Sequence, residues 1–252
     1  RELWEEIFTE DTPKFLDYYY SIKIKNNEIY VIEDDGEIVS MLHLNPYEMR
    51  IGDKLFQTHY IVAVATKESY RKRGLMRQLL NYVLQVMTDR GEPFTFLMPA
   101  DEAIYKPFGF EFVYKQRQNK VVGKCSCDEK LEMISATEKD CQMIADFSNQ
   151  MLQEYDVVTW RDSGYYETLL LELASENGGI LLAKRGGKIE GVFALCHCDI
   201  YQLGTVAVKI GQDIQERGEQ RCVQDVSAPL GGIGGKVFVR TGIHQHRLIL
   251  PF

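Results

Sequence analysis

Long apolar runs, an excess of basic residues and a dense cysteine framework are all missing from this chain. No apolar run approaches the roughly 20 residues that span a membrane, so no membrane helix is expected. The N-terminal stretch, which begins at Arg1 rather than Met, shows no signal-peptide pattern. The six cysteines (Cys125, Cys127, Cys141, Cys196, Cys198 and Cys222) all fall from the midpoint onward. That is too sparse for a disulfide scaffold and reads as a reduced, cytoplasmic protein. Lys and Arg number 29 against 37 Asp and Glu, a net charge of −8. A duplex-binding protein usually shows the opposite balance, so no nucleic-acid partner is expected. What is present is ordinary globular material: 252 residues, 45% hydrophobic and 26% charged, enough for one large domain or two smaller ones.

Asp11-Thr12-Pro13 is a helix start, a capping residue followed by Pro in the first turn. The helix it opens carries Phe15 and Tyr18-Tyr19-Tyr20, one or two rings of which pack inward, and runs to about Asn26-Asn27. Glu28–Glu33 and Glu37–Leu44 flank Asp34-Asp35-Gly36 and read as a hairpin, because Gly accepts the positive φ of such turns. After a turn at Gly52-Asp53-Lys54, the unbroken apolar stretch Tyr60–Thr66 reads as a strand at the centre of a sheet. From Gly74 the period changes: Leu75, Met76, Leu79, Leu80, Val83, Val86 and Met87 recur at helical spacing until Gly91. Pro93–Met98 then returns to strand, which makes a βαβ unit with parallel strands.

The second half echoes the first. IYVIEDDGEIVSMLHL from Ile29 aligns without a gap to ILLAKRGGKIEGVFAL from Ile180, an offset of 151 that also carries Asp11 onto Asp162. A helix start and a hairpin in one register predict a tandem duplication. The expected division is a first domain over 1–124 and a degenerate second copy over 131–252, with the polar stretch Lys115–Lys130 as the boundary. Leu131–Ala136 would open the second copy as a strand, and Thr137 to Asp140 resembles a capping box with Asp in place of Glu. Residues 201–252 yield no assignable elements, and Gly231–Gly235 before Lys236 reads as a loop without the phosphate-loop spacing of nucleotide triphosphatases.

The chemistry concentrates in KESYRKRGLMR. Lys67, Arg71, Lys72, Arg73 and Arg77 against Glu68 give a local +4 in a chain of −8. The segment joins a buried strand to a helix, and free N–H groups with the positive helix end make such a turn an anion site. Gly74 would let a phosphate approach the backbone, and the arginines would add charge-assisted bonds. The bland alternative is a solvated basic loop; the strand-loop-helix context favours phosphate.

Strand, Arg71-Lys72-Arg73-Gly74-Leu75-Met76, then helix resembles the pyrophosphate loop of the GNAT superfamily of N-acetyltransferases. That loop reads Gln or Arg, two residues, Gly, one residue, then Gly or Ala. With DEAIYKPFGFEFVY from Asp101 to Tyr114, it is similar to the Eis (enhanced intracellular survival) type, most strongly over residues 28–114. The resemblance implies an α/β fold with a GNAT-like mixed sheet flanked by helices, duplicated as a tandem with a degenerate second copy. It also implies acetyl-CoA as co-substrate. Met76 departs from the loop pattern, and the second copy has Cys222 where the first has Arg71.

The resemblance also assigns roles. Val64 and Thr66 would offer backbone groups to the pantetheine arm. The amides of Arg71, Lys72, Arg73, Gly74, Leu75 and Met76 would hold the pyrophosphate. Tyr105 would be the general acid that protonates the departing thiolate, a reasonable task for a phenol near pKa 10; the plain alternative is an aromatic packed beside Pro107, Phe108 and Phe110. The general base stays open. Tyr60 stands where many related transferases carry Glu, and Asp101 and Glu102 are equally well read as helix caps. No metal is expected: Cys125-Ser126-Cys127 and Cys196-His197-Cys198 lack the two-residue spacing of zinc knuckles. His43 and His59 read as core or site-wall residues. The expected activity is transfer of an acetyl group from acetyl-CoA to an amine of a small molecule, a peptide or a Lys side chain. The alternative is a non-catalytic acyl-CoA-binding or sensor module on the same fold. A homo-oligomer is left open.

Overall fold

Local rules set most element boundaries. The structure, a computed structural model, describes residues 1–115, 131–195, 203–208 and 236–241. It divides into two units. The first holds residues 1–115 together with Tyr155–Trp160 and 236–241; the second holds 131–154, 161–195 and 203–208. Most of the expected boundary at 115–130, the cysteines of 125–127 and 196–198, Cys222 and the Gly231–Gly235 loop lie outside the described residues.

In the first unit, α1 (Glu2–Ile7) precedes α2 (Pro13–Ser21). The cap of α2 is Thr12, whose side chain accepts from the Phe15 amide, with Pro13 in the first turn. Asp11 instead accepts from the Trp4 indole at 2.7 Å. The helix ends at Ser21, short of the expected Asn26, and Lys23–Asn26 continues as a 3-10 turn. β1 (Glu28–Asp34) and β2 (Glu37–Ile51) form the hairpin, turning through left-handed Asp35 and Gly36. β3 (Lys54–Thr66) pairs antiparallel with β2. α3 (Leu75–Asp89) buries Leu79, Leu80, Val83, Leu84 and Met87 on one stripe, each large side chain contributing about 1.5–3 kcal/mol. β4 (Phe94–Leu97) lies parallel to β3, as the intervening helical crossover of a βαβ unit requires. α4 (Glu102–Tyr105) and β5 (Glu111–Lys115) follow.

The second unit opens with β6 (Glu132–Ser135). Thr137 and Asp140 form the anticipated capping box, with the Thr137 amide donating to the Asp140 carboxylate at 2.9 Å. α5 (Cys141–Met151) comes next; β7 (Val157–Thr159) then joins the first unit's sheet, on the edge of β2. α6 (Ser163–Ser175) is capped by Asp162, which accepts from the Tyr165 amide. The hairpin of β8 (Gly179–Arg185) and β9 (Lys188–Leu195) turns through left-handed Gly186 and Gly187. β10 (Leu203–Val208) pairs with β9, completing an antiparallel sheet in the order β10-β9-β8-β6. Cys141, Ile144, Tyr166, Leu173, Ile180 and Leu182 form its core with the two helices.

β11 (Lys236–Thr241), in the stretch that the sequence leaves unassigned, pairs antiparallel with both β4 and β5. The first sheet therefore runs β1-β2-β3-β4-β11-β5, a mixed sheet because only β3 and β4 are parallel. Side-chain alternation along β2 loads its two faces differently. Leu42 and Leu44 pack with α3, whereas Met41 joins Trp4, Leu16 and Tyr19 from α1 and α2. No helix among the described residues is long and apolar enough to cross a membrane.

Candidate functional site

Two irregularities in β3 prepare a site at its C-terminal end. The first is a bulge. Val62 pairs with His43 and Ala65 with Met41, so three steps on β3 face two on β2. The extra residue is absorbed at Ala63, which takes a φ of +53°. A bulge takes backbone groups out of the ladder and re-aims the strand beyond it. The second is a parting of strands. Among the described residues, β3 and β4 share a single bridged pair, Tyr60 with Phe96. Beyond that pair no further β3–β4 bridge is formed among the described residues, so the β4-facing edge of β3 at Val64 and Thr66 lies outside that ladder.

The basic turn follows directly on this strand end. Past a 3-10 turn at Glu68–Tyr70, Arg71 is extended and its Nε donates to the Thr66 carbonyl at 3.3 Å. Lys72 has φ +63° and Gly74 φ +81°, two left-handed residues within three positions. Gly74 is the N-cap of α3 and supplies no side-chain acceptor to its first turn. A Cβ at Gly74 would meet nothing within 4 Å, so the space before these amides is open. Free amides at a helix N-terminus, with exposed cations around them, suit phosphate. The guanidiniums are held on ring faces, Arg73 over Tyr70 at 4.5 Å and Arg77 over Phe108 at 5.4 Å. The second contact brings the first turn of α3 against the segment that bears Tyr105.

Asp101 caps α4, accepting from the Ala103 amide at 2.9 Å, and Glu102 lies 3.5 Å from the Lys106 ammonium. Both carboxylates are thus engaged within their own turn. Tyr105 is buried beside Phe110, ring centroids 5.9 Å apart. Burial pushes its phenol up to about 12, so the group is a proton donor over the whole working range of an enzyme. Val64, Met76, Tyr105 and Phe108 belong to one apolar cluster. Val64 and Met76 thus share a core with Tyr105 although both lie 29 residues or more from it in sequence. Thr66 is fixed by its hydroxyl, 2.9 Å from that of Ser40. Tyr60 packs with Tyr47 and Phe96 in an aromatic trio.

Sequence reading passed over two features. One is the bulge at Ala63, since nothing about an Ala announces positive φ. The other is a pair of polar networks around histidines read simply as wall or core. His43 is fully buried, with Nδ1 3.0 Å from the Tyr19 hydroxyl. That hydroxyl donates to Asn45 and accepts from Asn27. Burial pushes the His43 imidazole down to about 4. His59 meets Glu92, in the lead-in to β4, and Glu28, on β1, partners that sequence separation hides. Among the described residues no group of three or more His, Cys, Asp or Glu is arranged to hold a metal ion.

Comparison with known proteins agrees with this geometry. Residues 1–113 match a family described as an acetyltransferase (GNAT) domain. Three solved structures share the fold. A conserved protein of unknown function from Enterococcus faecalis, called a probable N-acyltransferase, superposes with a TM-score of 0.62 at 16% identity, covering 79% of this chain and 52% of its own. A GCN5-related N-acetyltransferase from Anabaena variabilis gives 0.58 at 18% identity, over 77% and 50%. Another, from Kribbella flavida, gives 0.64 at 14% identity, over 95% and 68%. The chain spans about half the length of the first two. No curated protein matches the sequence.

Proposed function

We propose that this protein is an acyl-CoA-dependent N-acyltransferase, with acetyl-CoA as donor and an amine of a small molecule, a peptide or a Lys side chain as acceptor. One observation carries the reading: a basic strand-to-helix turn with left-handed Lys72 and Gly74 joins the end of β3 to α3, and the segment that bears Tyr105 packs on the first turn of that helix through Arg77 and Phe108. The match of residues 1–113 supports it. The Eis-type assignment rests on RKRGLM and on the Asp101–Tyr114 segment. We take the second unit as a degenerate copy, because a capped helix and then a left-handed hairpin recur at offsets of 150 and 151. The division read from the sequence, 1–124 and 131–252, is kept in outline, with Val157–Thr159 and Lys236–Thr241 paired into the first unit's sheet. A reduced, cytoplasmic setting fits the sparse cysteines.

The residues divide the work. Amides from Arg71 to Met76 hold the pyrophosphate, with Arg71, Lys72 and Arg73 adding charge. Backbone groups at Val64, left out of the β2 ladder by the bulge, and at Thr66, at the end of the strand, line up the pantetheine arm as a further strand would be. The neutral amine attacks the thioester carbonyl carbon, a C–N bond forms, and the C–S bond breaks. Tyr105 gives its proton to the departing thiolate and recovers one from water; the amine's proton leaves to solvent. Most of the acceleration comes from holding the reactants in line.

A non-catalytic acyl-CoA sensor is the second reading. Tyr60, locked between Tyr47 and Phe96, favours it by offering no carboxylate near the acceptor. Thiol release from acetyl-CoA across a panel of polyamines, aminoglycosides and Lys peptides separates the two. Turnover with any amine establishes the enzyme. Binding of acetyl-CoA without thiol release from any member establishes the sensor.

A further inference from the structure

Next to the Tyr60–Phe96 pair, β3 and the segment leading through β4 are fastened by side chains, and one imidazole both makes one of these attachments and reaches β1. The Thr58 hydroxyl donates to the Phe94 carbonyl. The Thr95 hydroxyl donates to the His59 carbonyl at 2.6 Å. His59 Nδ1 lies 2.8 and 2.9 Å from the two oxygens of Glu92, in the lead-in to β4. Its Nε2 lies 3.8 Å from Glu28, the first residue of β1. Arg90, at the end of α3, grips that same Glu28 with two bonds of 2.6 and 2.9 Å, and Tyr30 donates to it as well. Arg90 is also 4.0 Å from Glu92. The Glu92 side chain is only 8% exposed and that of His59 16%, so solvent screens this group weakly.

We propose that His59 is a positioning residue for the acyl-carrier site: as imidazolium it pins the lead-in of β4 to β3 and β1, and so sets the strand separation at the Tyr60–Phe96 pair, next to the strand end at Val64 and Thr66. The proposal rests on the acyl-CoA reading of that strand end. The chemistry follows from the donor count. A neutral imidazole has one N–H and can serve Glu92 alone; the imidazolium has two and can face both carboxylates. The Arg90 guanidinium holds Glu28 below the usual carboxylate range, so Glu28 remains an anion for His59 to meet. When the imidazole loses its proton, the Nε2 lone pair faces that anion and the tie to β1 is lost. Glu92, Glu28, Arg90, Tyr30 and Thr95 are the polar groups that contact this assembly from β1, β4 and the end of α3.

The test is a titration of coenzyme A into the wild-type chain and His59→Gln between pH 5.5 and 8.5. Gln keeps an N–H for Glu92 but cannot be charged. The ratio of wild-type to variant Kd cancels the ligand's own phosphate ionisation. It is expected to rise about fivefold from pH 5.5 to pH 8.5. A ratio constant within about twofold overturns the proposal. Hydrogen exchange of residues 58–66 and 94–97 provides a readout without ligand. The wild type is expected to exchange more slowly than His59→Gln at low pH and equally at high pH; equal rates at both overturn the pin. If coenzyme A binds neither protein, the acyl-CoA reading fails and the exchange result alone decides on the pin. Glu92→Gln, isosteric and uncharged, replaces His59→Gln if that variant does not fold, with the same expectations.

Discussion

Replacing Tyr105 by Phe removes one hydroxyl and leaves the ring where it is. Tyr105 is 7% exposed and packed edge-on against Phe110, so the loss in stability is about 0.5–1.5 kcal/mol, a few degrees in Tm. The effect on turnover is of another size. A positioned general acid contributes about 10²–10⁴-fold, so kcat should fall at least about 100-fold, or about 2.7 kcal/mol in barrier. The Kd for coenzyme A should change by less than about twofold, because the basic turn keeps its amides and its charges. The pH behaviour is equally specific. Burial raises the phenol to about 12, so no alkaline limb from Tyr105 appears in kcat below about pH 11. The sign for stability follows from the same shift. The folded pKa lies above the unfolded value, so this contribution is complete below pH 10 and is lost as pH rises toward 12. The Phe variant lacks that loss. The assay is thiol release against pH, with thermal melts at matched pH. Unchanged turnover, or an alkaline limb near pH 9–10 that the substitution abolishes, would refute a buried proton donor at this position.

Two further substitutions test other parts of the account. Gly74→Ala places a Cβ where nothing stands within 4 Å but at φ +81°. It should cost about 1–2 kcal/mol of stability through conformation alone and weaken coenzyme A about tenfold by intruding on the phosphate space. Gly74→Asn, more tolerant of left-handed backbone, should melt closer to the wild type, as differential scanning calorimetry would show. His43, pushed down to about 4 by burial, binds a proton more readily unfolded than folded. Its contribution to stability is therefore complete above pH 6.5 and lost as pH falls toward 4, by roughly 3 kcal/mol. Urea melts of the wild type and His43→Gln at pH 7 and pH 4.5 should show a shallower acid loss in the variant; identical losses would remove His43 from the acid response.

The parts of the fold written in local chemistry were legible. Thr12-Pro13, Asp35-Gly36, Gly74 and the Thr137–Asp140 box each satisfy a rule that spans four residues or fewer, and each is found in place. The apolar stripe of α3 was as plain, because periodicity survives any tertiary context. What escaped notice depends on pairing between distant segments. The bulge at Ala63 exists only relative to β2. β11 gains its place only beside β4 and β5, and nothing in Lys236–Thr241 names those partners. The short strand Val157–Thr159 likewise belongs to the edge of β2, where the Gly52 amide donates to Asp156 and the Trp160 amide to Glu48. At the site, the basic turn was readable because its charges are consecutive. The His59 assembly was not, because its members are drawn from positions 28, 59, 90 and 92 and meet only when three elements pack.

The central claim is that the turn from Arg71 to Met76 receives the pyrophosphate of an acyl-CoA. Isothermal titration of acetyl-CoA into the wild-type chain tests it most directly, repeated with a paired Arg71→Ala, Arg73→Ala variant and at two salt concentrations. The account predicts saturable one-to-one binding that weakens with salt and weakens at least about tenfold in the variant. No heat of binding at millimolar acetyl-CoA, or binding indifferent to both arginines and to salt, would contradict it.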